Sequence, residues 1–177
     1  MERVLADEII RTDYGQFDLV WSGSIGFDGD FDRFFEGQVS GLVGAADPSG
    51  VYVNLARRSG GSPVRIVELD KAPDEPEERW EDVVAVSATI PEGETAGWSS
   101  WAGETYGELA GLEPGSYRVR VCARGRDAGR DGEFAEGPID EYLIQFWRSD
   151  RLPDAIVRVG SEDARYWHRE IGGRRAS

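Results

Sequence analysis

Apolar side chains recur at every second position over most of this chain, the period of a strand with one buried face, and turn-forming residues break the runs at short intervals. Phe17, Leu19 and Trp21 alternate with Asp18, Val20 and Ser22. Val51, Val53 and Leu55 alternate with Tyr52, Asn54 and Ala56, directly after an Asp47-Pro48-Ser49-Gly50 turn that predicts a hairpin with residues 42–46. Residues 57–63 (RRSGGSP) read as a flexible turn, because paired glycines and a proline precede the β-branched run at 64–69. Residues 82–90 are apolar in both phases, as in a central strand covered on both faces. Further strands are expected near Trp98, at 116–123 after the Pro114-Gly115 turn, at 141–147 and at 155–159.

Two charged segments interrupt this period. Residues 70–82 (DKAPDEPEERWED) carry two prolines and an acidic excess, and read as an exposed loop and the best candidate for a domain boundary. In residues 124–132, Arg124, Arg126 and Arg130 nearly cancel Asp127 and Asp131, which predicts an exposed connection between two strands. Ser161 has the chemistry of an N-cap, with Glu162 and Asp163 in the first turn and Gly172-Gly173 as the stop. Ala164, Trp167, His168 and Ile171 share one face of that helix. The expected fold is all-β: an antiparallel β-sandwich of about eight strands with one short C-terminal helix. One domain is expected over residues 1–171, with a frayed tail at 172–177.

A length of 177 residues with 40% hydrophobic side chains suits one well-buried core. The net charge of −14 repels nucleic acid and anionic lipid and attracts basic partners, so a basic protein partner is expected, with no direct nucleic acid and no membrane. No apolar run is long enough to span a bilayer, and MERVLADEII lacks the order of a secretory signal, so a cytoplasmic location is expected. Cys122 is the only cysteine, which fits a reducing compartment.

Candidate chemistry is sparse. His168 is the only histidine, and its helical phase favours packing over catalysis. Zinc sites of the usual composition, phosphate loops and the G-x-S-x-G elbow all lack their residues. Asp28, Asp30 and Asp32 start a calcium-loop pattern that fails at Arg33, where glycine belongs, and at Val39, where glutamate belongs. No cofactor, metal or catalytic residue is therefore expected, and a carboxylate-dependent hydrolase ranks last among the readings. The leading candidates are two acidic patches for a basic partner: Asp28, Asp30, Asp32 and Glu36, and Asp74, Glu75, Glu77 and Glu78. The alternative is an aromatic platform of Trp98, Trp101 and Tyr106 for a sugar or another small ligand.

Tyr14-Gly15-Gln16-Phe17-Asp18-Leu19-Val20, and later Pro114-Gly115-Ser116-Tyr117-Arg118-Val119-Arg120-Val121-Cys122 followed by Glu141-Tyr142-Leu143-Ile144, form a pattern of short aromatic strands. It resembles that of the bacterial competence-associated nuclease inhibitors, the ComJ-like proteins, in which such strands frame an all-β core. The resemblance implies a small acidic cytosolic protein that binds and silences a partner nuclease; it assigns no inhibitory residue. That agrees with the charge, since a nuclease presents a basic groove to its substrate and an acidic surface complements it.

Overall fold

Residues 1–21 and 30–175 are described in the computed structural model, Thr12 by its backbone alone. The first element, β1 (Glu2–Asp13), is the longest strand and turns at Tyr14-Gly15 into β2 (Gln16–Val20). One turn of helix, α1 (Asp32–Phe35), precedes β3 (Val43–Gly44), β4 (Gly50–Asn54) and β5 (Ser59–Leu69). After the acidic segment come β6 (Asp82–Ile90), β7 (Gly97–Ser100), a 3-10 turn (Trp101–Gly103), β8 (Tyr106–Glu108) and β9 (Gly115–Arg124). Next are α2 (Arg126–Asp131), β10 (Glu141–Arg148), β11 (Ala155–Arg158) and α3 (Glu162–Glu170).

The strands form two sheets, ordered β1-β5-β10-β9-β6-β11 and β3-β4-β2-β7-β8. Phe17, Leu19 and Val53 of the smaller sheet meet Ile66, Val86 and Ile144 of the larger one in a shared core, so the alternation read from the sequence is the inward-facing phase of each strand. In β6 the second apolar phase is used too: Val84 and Val86 face the shared core, whereas Val83 packs with Trp80 and Cys122 on the outer side. The Asp47 turn forms as expected, its carboxylate accepting the Ser49 N–H at 2.9 Å, and β3 pairs antiparallel with β4.

The architecture is mostly β, but the described residues hold eleven strands and three α-helices rather than about eight strands and one helix. Nor is it wholly antiparallel: β10 runs parallel to β5. The strands not expected are β1, whose residues do not alternate, and β8, whose three residues are too short for alternation to register. The turn expected at 57–63 is strand from Ser59 onward, because β1 pairs with it from Asp13↔Ser59 to Ile9↔Pro63; pairing overrides the low strand propensity of glycine.

Residues 124–132 depart furthest from expectation. Gly125 adopts φ 78°, and a Cβ there would lie 2.4 Å from the Ile139 carbonyl oxygen, so only glycine allows the chain to turn out of β9 into α2. Arg126 is 1% exposed, with Nε and Nη2 at 2.9 and 2.8 Å from one Asp163 carboxylate oxygen and Nη1 donating to the Asn54 carbonyl at 2.7 Å. Asp127 accepts the Glu162 and Asp163 N–H groups at 3.1 and 2.8 Å, and the expected Ser161 cap accepts Ala164 N–H at 3.0 Å. A buried ion pair thus fastens the exit of β9 to α3.

Nearby, the Tyr142 hydroxyl accepts the Ala56 N–H and donates to Asp140, both at 2.8 Å. Tyr142→Phe strands both partners in the interior and is expected to cost about 1–3 kcal/mol by chemical denaturation.

A half-buried histidine and a buried aspartate oppose each other in pH dependence. Burial, reinforced by the charge of Arg126, pushes His168 down to about 4, and its Nδ1 accepts the Gly41 N–H at 3.0 Å. Its stabilising contribution is whole above the ordinary value of 6.5 and is lost as pH falls toward 4. Burial pushes Asp18, which accepts a bond from Gln16 Nε2, up to about 7; its contribution is whole below 3.8 and is lost as pH rises through 7. The stability gained by Asp18→Asn over the parent is therefore expected to grow from about pH 5 to about pH 8 in thermal melts, and a pH-independent difference would contradict the titration.

Candidate functional site

Pro73 and Pro76 keep residues 70–81 out of a strand, and Trp80 gives the segment its anchor. Its indole, 3% exposed, packs on Val83, Cys122 and partly buried Leu143 on the outer face of the larger sheet. Two arginines, on the strands that flank β6, then hold the main chain. Arg158 of β11 donates to the carbonyls of Trp80 (2.6 Å), Glu77 (2.9 Å) and Pro76 (3.1 Å). Arg120 of β9 donates to the Asp74 carbonyl (2.7 Å) while its Nε holds Gln145 (2.8 Å). Arg79 lies 4.3 Å over the Trp80 ring and pairs with Glu77 (3.1 Å) and Glu141 (2.8 Å). The expected loop is therefore a strap fixed across the sheet, and β5 before it and β6 after it belong to that same sheet.

The carboxylates of Asp74, Glu75, Glu77 and Glu78 are exposed. Among the described residues, no cation pairs with Asp74, Glu75 or Glu78. Beneath them burial pushes the Cys122 thiol up to about 11, so it carries no nucleophile's charge.

The other acidic patch is arranged differently. Asp28 lies outside the described residues. Asp30 precedes α1 and Asp32 opens it; Phe34 and Phe35 of that helix pack on Tyr52, a residue of β4 turned away from the shared core. Arg174 neutralises Asp32 at 2.7 Å, and Arg33 sits 4.0 Å from Asp30 and 3.1 Å from Asp47; Glu36 is exposed. The two patches thus occupy opposite outer faces and do not form one footprint.

Of the aromatic candidates, Trp98 of β7 and Tyr106 of β8 line one groove of about 390 Å³, with Trp21 and Glu108 also on its wall. The Trp98 indole crosses Gly107, where a Cβ would lie 2.5 Å from its Nε1. Trp101 stands apart, its ring 5.2 Å from that of Tyr14. Among the described residues, no three His, Cys, Asp or Glu side chains gather at metal distance, and no helix is long and apolar enough to cross a membrane.

Sequence reasoning located the strap acids but missed the groups that hold them: Trp80, Arg120 and Arg158. A tryptophan inside a run of charges was the available signal.

A scan against protein-family models and a search of curated proteins return no match. In fold, the chain is similar to the crystal structure of ComJ from Bacillus subtilis, an inhibitor of the DNA-degrading activity of NucA: TM-score 0.59 and 15% identity over 84% of this chain and 99% of ComJ. The product of crocagin biosynthetic gene J gives TM-score 0.48 and 15% identity over 85% and 99% of the two chains. The ComJ-like resemblance read from the strands now seen as β2, β9 and β10 is borne out as a likeness of fold.

Proposed function

We propose that this protein is a non-enzymatic, inhibitor-type binding protein for a basic partner of the nuclease class, and that the strap is its contact surface. The observation carrying this reading is the display of Asp74, Glu75, Glu77 and Glu78 from a backbone fixed by Trp80, Arg120 and Arg158, which spares the ordering entropy a free loop would lose on binding. The net charge of −14 steers a basic groove toward it, and the fold shared with ComJ, an inhibitor of the DNA-degrading activity of NucA, supports the inhibitor class. Asp30, Asp32 and Glu36 face the other way and act as a second, weaker surface; Asp28, the fourth acid of that patch in the sequence, lies outside the described residues.

Immobilised protein exposed to native cytosol at low salt is expected to retain a basic nuclease that salt releases. The same column carrying Asp74→Lys, Glu75→Lys and Glu78→Lys should retain none, and retention undiminished by that reversal would move the contact elsewhere.

A second reading rests on the groove beside Trp98 and Tyr106, whose apolar wall and Glu108 carboxylate suit a sugar ring. Titration with a glycan panel would then shift tryptophan emission, and Tyr106→Ala, at a residue 78% exposed, would abolish the shift. Emission unchanged across the panel removes this reading.

A further inference from the structure

Three of the four sheet edges are blunt. β3 has two residues, β8 has three, and β11 has four with a register break between Ile156 and Arg158. Short or bulged edges keep exposed strand backbones from pairing with a neighbour. The fourth edge, β1, has twelve residues and neither proline nor lysine, and among the described residues it pairs on one side alone, with β5. Its register breaks between Val4 and Ala6, then runs unbroken from Ala6↔Ile66 to Asp13↔Ser59. Within that run stands Ile9, 61% exposed, opposite Pro63, which has no N–H to offer it.

Asp7, Ile9 and Arg11 share the outer face of the sheet at a spacing of two, and Arg11 has no carboxylate partner among the described residues. An antiparallel copy of β1 placed on a two-fold axis at Ile9 sets Ile9 against its own counterpart and Asp7 against Arg11 of the second copy, twice by symmetry. Directly opposed unlike charges favour a strand pair and like charges disfavour it. Moving the axis to Glu8 opposes the two Glu8 side chains, and moving it to Ile10 opposes Asp7 and Asp13. Only the axis at Ile9 satisfies the charges.

We propose that β1 is the interface of a two-fold homodimer, centred on Ile9, that joins two six-stranded sheets into one continuous sheet. The strap packs on β10, β9 and β6, away from this edge, and stays exposed in the dimer.

Sedimentation in about 0.15 M salt, where charge repulsion is screened beyond about 8 Å, is expected to give a dimer. Arg11→Asp should raise the dimer dissociation constant about tenfold or more, whereas Arg11→Lys, which keeps a cation opposite Asp7, should leave it within about threefold, with circular dichroism reporting the fold of each variant. Cysteine placement reads the axis directly. Ile9→Cys brings two Cα atoms to about 5.5 Å, within disulfide reach, whereas Asp7→Cys leaves them about 14 Å apart. Cys122 is buried and does not compete. Oxidation should link Ile9→Cys chains and not Asp7→Cys chains. A parent that sediments as a monomer, a dimer that Arg11→Asp leaves intact, or equal cross-linking at both positions would overturn the proposal; the first would leave this edge to a strand from another protein.

Discussion

Asp163→Ala is expected to lower the unfolding free energy by about 3–5 kcal/mol, whereas Glu162→Ala, one residue earlier, costs under about 1 kcal/mol. Both carboxylates pair with an arginine at 2.8 Å, so distance does not separate them. Burial does. The Asp163–Arg126 pair is sealed from water on both sides, while Glu162 and Arg165 are exposed. Removing Asp163 leaves a guanidinium that cannot shed its proton, with the Asn54 carbonyl as its remaining hydrogen-bond acceptor. Replacing both partners, Arg126→Met with Asp163→Leu, is expected to recover most of the loss, because the cost lies in an unpaired buried charge and not in a missing attraction. Urea denaturation of the four chains measures this. Equal effects for Asp163→Ala and Glu162→Ala would mean that Arg126 reaches water.

Trp80→Ala should give the second large effect. Truncating a buried indole costs about 3–5 kcal/mol, and here it also uncouples the strap from the sheet. Every surface charge is kept, so a partner attracted by net charge alone would bind as before. A partner recognising a fixed constellation of carboxylates is expected to lose about tenfold to a hundredfold in affinity, mostly through faster dissociation. Trp80→Phe, which keeps an aromatic face under Arg79, should retain most of it. Surface plasmon resonance against the recovered partner distinguishes the cases; unchanged affinity for Trp80→Ala would remove preorganisation from the account.

What the sequence made legible follows the strength of each physical signal. β4, β6, β9 and β10 were readable because five or more residues alternate, or are apolar in both phases, between clear turns. β1 was not, since an edge strand carries charge on both faces: Glu2 and Asp7 answer Arg65, and Arg3 answers Glu68. α2 was hidden for a different reason. Its charges cancel locally and so suggest solvent, but the partner of Arg126 lies on a helix 37 residues away. The candidate site was half visible. Carboxylates in a proline-bearing run announced themselves, whereas Arg120 and Arg158 occupy strand positions where an arginine ordinarily points to water.

Both of those arginines grip carbonyl oxygens, which every amino acid possesses, and the indole of Trp80 faces inward. The side chains of Asp74, Glu75 and Glu78 therefore carry no duty in holding the polypeptide's course. Under the proposed function, descendants of this gene are free to re-letter positions 74, 75 and 78 to match a drifting or replaced target, while the scaffold beneath is inherited unaltered.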